Sequence, residues 1–547
     1  MSNFYIVSSL EKVFPRKYEV KTEYTEQSAL LGERVSFQIC FKSEKHWARH
    51  TYKVGVESEL SKYITLRNVE NVPCDLPGYV EECDDDYITM DACIMPDVLM
   101  PNVTATVEAC YEAWRTLWVT IEPDSDLLPG TYPIKLTFTG DDGEFEKIFT
   151  VRYINATLPA QKLDFTQWFH GDCIATYYGI EIFCEEHWKR LEDFIKTAVH
   201  GGINTILTPV FTPPLDTAVG GERPTIQLVD MSYIGGKWSF EFNKLDRFID
   251  ICLKHGVKHF EIAHLFTQWG AYFTPKIVAE TENGLERVFG WDVSSKSEEY
   301  AKFIDAFLPA LIGHFKSRGI DNMLMFHVSD EPTDAHLESY SYCKNLVAKH
   351  LEGYRIMDAL THYEFYENKL VEHPVAGIDH IMPFIEKNTP DLWAYYCCAQ
   401  NRDYLPNRYI AQNSYRNRII ATQLFKYSIT GFLQWGYNFY YSQCSVRPID
   451  PYRETAANMA FPSGDAFSVY PTKDGVAESL RFVVFHEALQ DLRAFELLAS
   501  LTSKEYVVEI IENTAEMTID FNNYPRNAEY ILKLREAVNK EIEKRKK

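Results

Sequence analysis

The sequence predicts a multidomain β plus α/β protein, an N-terminal β-sandwich followed by a (β/α)8 TIM-like barrel. Three observations predict it. A chain of 547 residues is too long for one core, so two or more domains are expected. Residues 1–158 are a succession of short alternating runs punctuated by turn signals, the pattern of paired sheets. Residues 159–505 then alternate strand-like and helix-like segments, the pattern of a barrel whose strands are each followed by a helix. A doubly wound open sheet is the competing reading, and no Gly-x-Gly-x-x-Gly or phosphate loop follows an early strand to support it.

In the N-terminal domain, Arg34–Phe41, Trp114–Ile121 and Tyr132–Phe138 alternate apolar and polar residues. Leu128-Pro129-Gly130-Thr131 and Gly140-Asp141-Asp142-Gly143 supply turns. The periodicity changes after the linker-like Ala156–Ala160. Barrel strands are expected at Asp164–His170, Ile203–Phe211, Val257–Phe266, the run from Met323, Arg355–Leu360, His380–Ile385, Leu392–Cys397 and Gly431–Tyr437. A hairpin inserted near Ile226–Phe242 turns at Gly235-Gly236. Helices are expected at Glu185–His200, Leu245–His255, Glu298–Ser317, from Ala335 to about Leu351, Asn417–Ser428 and Ser479–Leu501. Residues 506–547 form a helical extension, ending in a basic stretch, expected to pack on the barrel.

Composition narrows the partners. Lys plus Arg total 55 against 78 Asp plus Glu, a formal charge of -23, which repels polyanions and disfavours nucleic acid. No segment reaches the roughly 18 uninterrupted apolar residues of a spanning helix, and the first residues lack a basic stretch leading into an apolar one; a cytoplasmic protein is expected. The 12 cysteines lack zinc-type pairs and fit a reducing compartment. Aromatic residues make up 14%, enough to fill cores and also to stack on sugar faces.

The stretch Met323–Pro332 carries the chemistry. An apolar run ends in His327-Val328-Ser329-Asp330-Glu331-Pro332, placing two adjacent carboxyls where a barrel strand exits toward its active face. Neighbouring carboxyls can divide labour, one charged and one protonated. The bland reading is an acidic turn in which either residue caps the next helix. Neighbours on a regular strand face opposite sides, so a shared role requires the extended geometry to break at Asp330–Glu331. Other polar residues recur at strand ends: Trp168, His170 and Asp172 at period two, His264, His327, Trp393, Tyr395, and the run holding Gln434, Trp435, Asn438 and Tyr440. Each alone reads as packing or as a satisfied core residue; together they suggest a sugar-binding cup. No cofactor is called for. A metal site would have to draw on His170, Asp172, His264 and Asp330, whose spacing is not diagnostic.

His327–Pro332, Phe432–Asn438, and Gly464–Pro471 with the helix from Ser479 through Asp491 together resemble glycoside hydrolase family 123, the β-N-acetylgalactosaminidases. The resemblance covers roughly residues 160–500 and departs from the family pattern at Leu492-Arg493-Ala494. It implies a glycan substrate ending in an amino sugar and retaining hydrolysis assisted by the substrate's own 2-acetamido group. Asp330 would orient that group and Glu331 would be the general acid and base. Trp168, His170, Asp172, His264, His327, Trp393, Tyr395, Gln434, Trp435, Asn438 and Tyr440 would form the sugar pocket. A glycosidase preferring N-acetylglucosamine and a non-catalytic carbohydrate-binding barrel are the alternatives.

Overall fold

A computed structural model describes residues 2–16, 18–45 and 49–546. The N-terminal region holds two five-stranded sheets. The first runs, in spatial order, Ser2–Ser8, Val35–Ser43, Arg115–Ile121, Ile64–Cys74 and Cys93–Pro101. The second runs Glu26–Leu31, Gly143–Thr157, Gly130–Gly140, Arg49–Glu57 and Thr106–Cys110. Alternation along these strands points every second side chain inward. Inward rings from both sheets meet: Phe4 stacks on Phe138 with centroids 4.4 Å apart, and Phe37 on Phe149 at 4.0 Å.

Eight parallel strands come next: β1 (Asp164–Gln167), β2 (Thr205–Thr208), β3 (His259–Ile262), β4 (Leu324–Phe326), β5 (Arg355–Leu360), β6 (His373–Gly377), β7 (Trp393–Tyr395) and β8 (Gly431–Gln434). Their spatial order is β1-β8-β7-β6-β5-β4-β3-β2, a nearly closed barrel. At the seam Asn204 takes the place of ladder bonds: its N–H donates to the Phe165 carbonyl (3.0 Å), and its Oδ1 accepts from the Phe165 N–H (2.8 Å). Helix Glu298–Ser317 forms where its pattern places it, with the Ser297 side chain accepting from the Tyr300 N–H as N-cap and Gly319 closing it at φ +70°.

Two expectations are corrected. The sixth strand is His373–Gly377 and not His380–Ile385; Met382–Glu386 is a short helix with Pro383 in its first turn. The first strand stops at Gln167, and Gly171–Tyr178 is helical, so Asp172 lies in a helix's first turn and shares no extended face with Trp168 and His170. The hairpin expected near Ile226–Phe242 is present as Asp230–Ile234 and Lys237–Glu241, turning at Gly235-Gly236, and it belongs to a four-stranded sheet with Ile277–Thr281 and Gly284–Phe289. No helix among the described residues is long and apolar enough to cross a membrane.

Helix Leu480–Leu501 locks the two regions together. Arg481, buried, grips buried Asp97 of the first N-terminal sheet through Nε (2.9 Å) and Nη2 (2.8 Å). Farther along the helix, Asp491 joins Arg418 and Arg535, and Arg535 reaches Glu33 (2.6 Å). Helix Ala528–Lys546 therefore contacts both regions, since Arg535 meets Asp491 of the barrel side and Glu536 accepts from Ser28 (2.8 Å) of the second N-terminal sheet. At the family departure, Arg493 Nε simply donates to the Pro159 carbonyl (2.6 Å). Removing one partner of a buried pair strands the other's charge. Asp97→Ala should lower stability by about 3–5 kcal/mol in urea unfolding, and Asp97→Ala with Arg481→Met by less than the two single losses together. Additive losses would mean that the pair contributes no coupling.

Candidate active site

The barrel interior is organised around a fully buried carboxylate, Glu261 of β3. Its Oε2 accepts from Thr166 Oγ1 (2.8 Å), and its Oε1 accepts from Trp168 Nε1 (2.7 Å) and lies 2.6 Å from His327 Nε2. His327 Nδ1 lies 3.2 Å from Asp358 Oδ1, a second carboxylate, on β5. Burial disfavours the imidazolium, yet the hydrogen bonds to Asp358 and Glu261 outweigh it and raise the His327 pKa to about 10. His327 is thus a buried cation between two anions. Asp358 also accepts from Tyr340 OH (2.5 Å) and from the Val328 N–H (3.2 Å).

His264 lies over His327 with centroids 4.3 Å apart and planes 14° from parallel. Burial, then the His327 charge, hold its pKa well below the usual value. Both of its ring nitrogens are buried without a hydrogen-bond partner. A neutral imidazole offers one donor and one acceptor, so this ring has both free for a ligand.

Past β4 the chain leaves extended geometry. Glu331 takes φ +44°, a left-handed conformation that costs a non-glycine residue of order 1–3 kcal/mol. The strand itself ends at Phe326, four residues before the expected break at Asp330–Glu331. Tyr395, at the end of β7, donates its hydroxyl to Glu331 Oε1 (2.8 Å). Asp330 interacts electrostatically with Glu331, His327, Asp358 and Glu261. Burial, then the charge of Glu331, push the Asp330 carboxyl well above its ordinary value, while His327 opposes. Glu331 is raised by burial, lowered by the Tyr395 hydrogen bond and raised again by Asp379. The pair therefore retains a proton where isolated carboxyls would have lost theirs, and that proton belongs to the pair rather than to one residue. Gly377 ends β6 beside this group, where an added Cβ would fall 2.8 Å from Asp379 Oδ1 and 3.4 Å from the Tyr395 ring.

The other expected sugar ligands divide. Trp168 is buried and spends its N–H on Glu261, so it frames the site. Trp435 is partly buried, packs with the aromatic cluster of the barrel interior, and is held by Asp465 Oδ2 (2.9 Å). Five assignments are corrected by prior commitments of the side chains. His170 and Asp172 are bound by buried Arg223, with Nη2 at 3.2 Å from His170 Nδ1 and 2.7 Å from Asp172 Oδ1. Asn438 is spent on the His170 main chain (2.9 and 3.0 Å), and Tyr440 donates to the Val469 carbonyl (2.9 Å). Gln434 is saturated by the Gly436 N–H, Arg408 and Asp465. Trp393 is a sixth: it opens β7 two residues below Tyr395, its ring abuts Gly431, and Arg355 from the first position of β5 lies over it at 5.9 Å, so it belongs to the floor of the barrel. The metal quartet is dissolved by Arg223. His264, His327 and Asp358 offer ligand atoms within 4.8 Å of one another.

Sequence reasoning missed Glu261, Asp358, Asp379 and Arg223. A signal existed for two of them: Glu261 and Asp358 are the single carboxyl residues of their barrel strands, each flanked by apolar neighbours. The charge states are directly measurable. At pH 8, nitrogen NMR should show both ring nitrogens of His327 protonated and one bare nitrogen on His264; Glu261→Gln should lower the His327 pKa. A neutral His327 at pH 8 in the wild type would refute the charged triad.

The family model for the glycoside hydrolase 123 catalytic domain matches residues 168–498. A family 123 glycoside hydrolase from Clostridium perfringens, solved in a study of glycolipid glycan hydrolysis, superimposes with a TM-score of 0.73 at 14% identity, covering 99% of this chain and 98% of that one. A family 5 mannosidase from Rhizomucor miehei superimposes with a TM-score of 0.34 at 12% identity, over 63% of this chain and 96% of that one. No curated protein matches. With an acidic mouth at the barrel's strand ends and a family match spanning most of the chain, the protein belongs to glycoside hydrolase family 123 and is a glycosidase.

Proposed function

We propose that this glycosidase releases terminal β-linked N-acetylgalactosamine with retention, through an oxazolinium intermediate formed by the substrate's own 2-acetamido group. The observation that carries the reading is the adjacent Asp330–Glu331 pair beyond the end of β4, where Glu331 is left-handed and its carboxyl accepts from the Tyr395 hydroxyl; burial raises the pKa of both carboxyls. Before substrate binds, the proton is shared. A bound acetamido N–H donating to Asp330 favours that carboxyl's ionised form and leaves the proton on Glu331. Ionised Asp330 aligns the acetamido oxygen for attack on the anomeric carbon and gains strength as positive charge develops on the acetamido nitrogen. Glu331 gives its proton to the leaving oxygen as the glycosidic bond breaks. It then takes a proton from the water that opens the oxazolinium ring.

The surroundings support a cationic transition state. Glu261, Asp358 and Asp330 share one imidazolium, His327, and Glu331 lies beside Asp379, so carboxyls outnumber cations in the site. His264 supplies a donor and an acceptor for a ring hydroxyl, and Trp435 is the candidate stacking surface.

Nitrophenyl β-N-acetylgalactosaminide should be turned over in preference to the glucosaminide, and a thiazoline analogue of the sugar should inhibit. Asp330→Asn should lower kcat/KM by about 10²–10³. Glu331→Ala should lower it by about 10²–10⁴ for a disaccharide and by less for the nitrophenyl glycoside, whose leaving group needs little protonation. A wild type that cleaves neither sugar would refute the reading, and a preference for glucosamine would change its substrate. Tyr395→Phe supplies the pH test. The lost hydrogen bond favours ionised Glu331, so its removal raises that pKa. Loss of the protonated acid sets the alkaline limb of the kcat/KM profile, which should therefore move to higher pH; a downward move would contradict the assignment.

A further inference from the structure

The loop after β3, residues 267–275, holds the one exposed tryptophan among the described residues. Trp269 is 45% exposed and Tyr272, three residues on, is 47% exposed. Water-facing aromatics of this size on a barrel rim need an explanation, because burying either elsewhere would stabilise the fold. The backbone beneath them is strained: Trp269 sits at φ +56° and Ala271 at +55°, flanking Gly270 at +116°. A left-handed tryptophan is a clear outlier, and such strain persists only where the surroundings over-determine it.

The surroundings do over-determine it. Ser339 Oγ donates to the Gly270 carbonyl (2.5 Å), Cys343 Sγ to that of Ala271 (3.4 Å), and the Ser295 N–H to that of Tyr272 (2.9 Å). Thr267 and Phe273 close the loop on itself, with the Thr267 N–H donating to the Phe273 carbonyl (3.1 Å). An added Cβ at Gly270 would lie 2.6 Å from the Tyr272 ring and 2.9 Å from His336, so only glycine fits there. The exposed rings are therefore carried on a fixed support.

That support is fastened to the reactive pair. The Trp269 N–H donates to the Asp330 carbonyl (3.2 Å), one residue before Glu331, and Tyr272 meets His336, which lies beyond Pro332 in the same loop, edge-on at 5.8 Å. An acid that protonates a leaving oxygen must lie on the leaving-group side of the scissile bond. The sugar attached to that oxygen extends out of the pocket past the loop that carries the acid, and 267–275 is bonded to that loop.

We propose that Trp269 and Tyr272 form the leaving-group subsite, a rigid aromatic platform that stacks the apolar face of the sugar next to the cleaved residue. The proposal rests on the reading of Asp330–Glu331 above. It makes the enzyme selective for a glycan aglycone over a small one, because a ring face on a prefixed support is bound without ordering a loop.

The test compares a disaccharide, β-N-acetylgalactosamine linked to galactose, with β-N-acetylgalactosaminyl azide, whose linear leaving group has no ring face. The measured quantity is the ratio of the two kcat/KM values. Trp269→Ala should lower that ratio about tenfold, Tyr272→Ala by a smaller factor, and Trp269→Phe should retain most of it. Because Ala and Phe both keep a Cβ at the left-handed position, their difference reports the ring and not the strain. An unmoved ratio in folded Trp269→Ala, with wild-type turnover of both compounds, would overturn the subsite and leave the hydrolytic reading standing. A wild type inactive on both would remove that reading and the subsite with it.

Discussion

An imidazolium held between two carboxylates inside the barrel is the interaction on which the site depends. Glu261 and Asp358 are both inaccessible to water, and an isolated carboxylate there would be protonated or would unfold its surroundings. His327 neutralises part of that charge, and it is also the first residue past β4. Asp358 then accepts from the main-chain N–H of Val328, so the ion pairs fix the path of the chain just before it bends. The magnitudes are compatible. Breaking a buried pair costs about 3–5 kcal/mol, whereas a left-handed glutamate costs about 1–3 kcal/mol, so the charged triad can hold Glu331 in a conformation it would not otherwise keep.

The same charges set the chemistry. Arg223 is committed to Asp172 and Arg408 to Gln167 and Gln434, and among the described residues no arginine is one of the groups that act most strongly on Asp330 and Glu331. Burial and mutual repulsion then make this pair retain a proton, while the Tyr395 hydroxyl works against that tendency at Glu331 alone. Two adjacent residues with the same functional group come to differ because one faces the His327 triad and the other faces Tyr395 and Asp379. Environment assigns the roles that residue type cannot.

This also explains what the sequence could reveal. Punctuation was partly legible: the helix expected at Glu298–Ser317 has those bounds with Gly319 after it, and the helix expected from Ser479 starts at Leu480, whereas the strand before the acidic pair ends at Phe326 and not at Pro332. The need for non-extended geometry at Glu331 was legible because adjacent carboxyls on a strand cannot share a face. Strand β6 was not, since His373-Pro374-Val375-Ala376-Gly377 carries a proline and a glycine, while the apolar run near Ile381 imitates a strand. A buried parallel strand needs no alternation, so local pattern could not decide between them. The pocket was read least well. His170, Asp172, Gln434, Asn438 and Tyr440 have the residue types of sugar ligands, and apart from the Gly436 N–H their partners named above lie 26 to 268 residues away, beyond any local signal. Polarity at a strand end says that a partner is needed and not whether that partner is protein or substrate.

Long-range pairing also gives the N-terminal sheets a part in the site. Besides gripping Asp97, Arg481 donates through Nη1 to the carbonyls of Gly464 (2.6 Å) and Phe467 (2.9 Å), which bracket Asp465. Gly464 is left-handed at φ +91°, and an added Cβ would lie 2.8 Å from the guanidinium carbon, so this close approach requires glycine. Asp465 in turn holds the Trp435 indole N–H. A carboxylate on an N-terminal sheet thus fixes a barrel arginine, the arginine fixes a loop, and the loop holds the Trp435 indole. Burial raises the Asp465 pKa to about 6, against the pull of Arg408 and the Trp435 N–H. This last link is therefore the weakest in acid: the carboxylate that holds Trp435 becomes protonated as pH falls through about 6, while Arg481 and its grip on the loop stay charged.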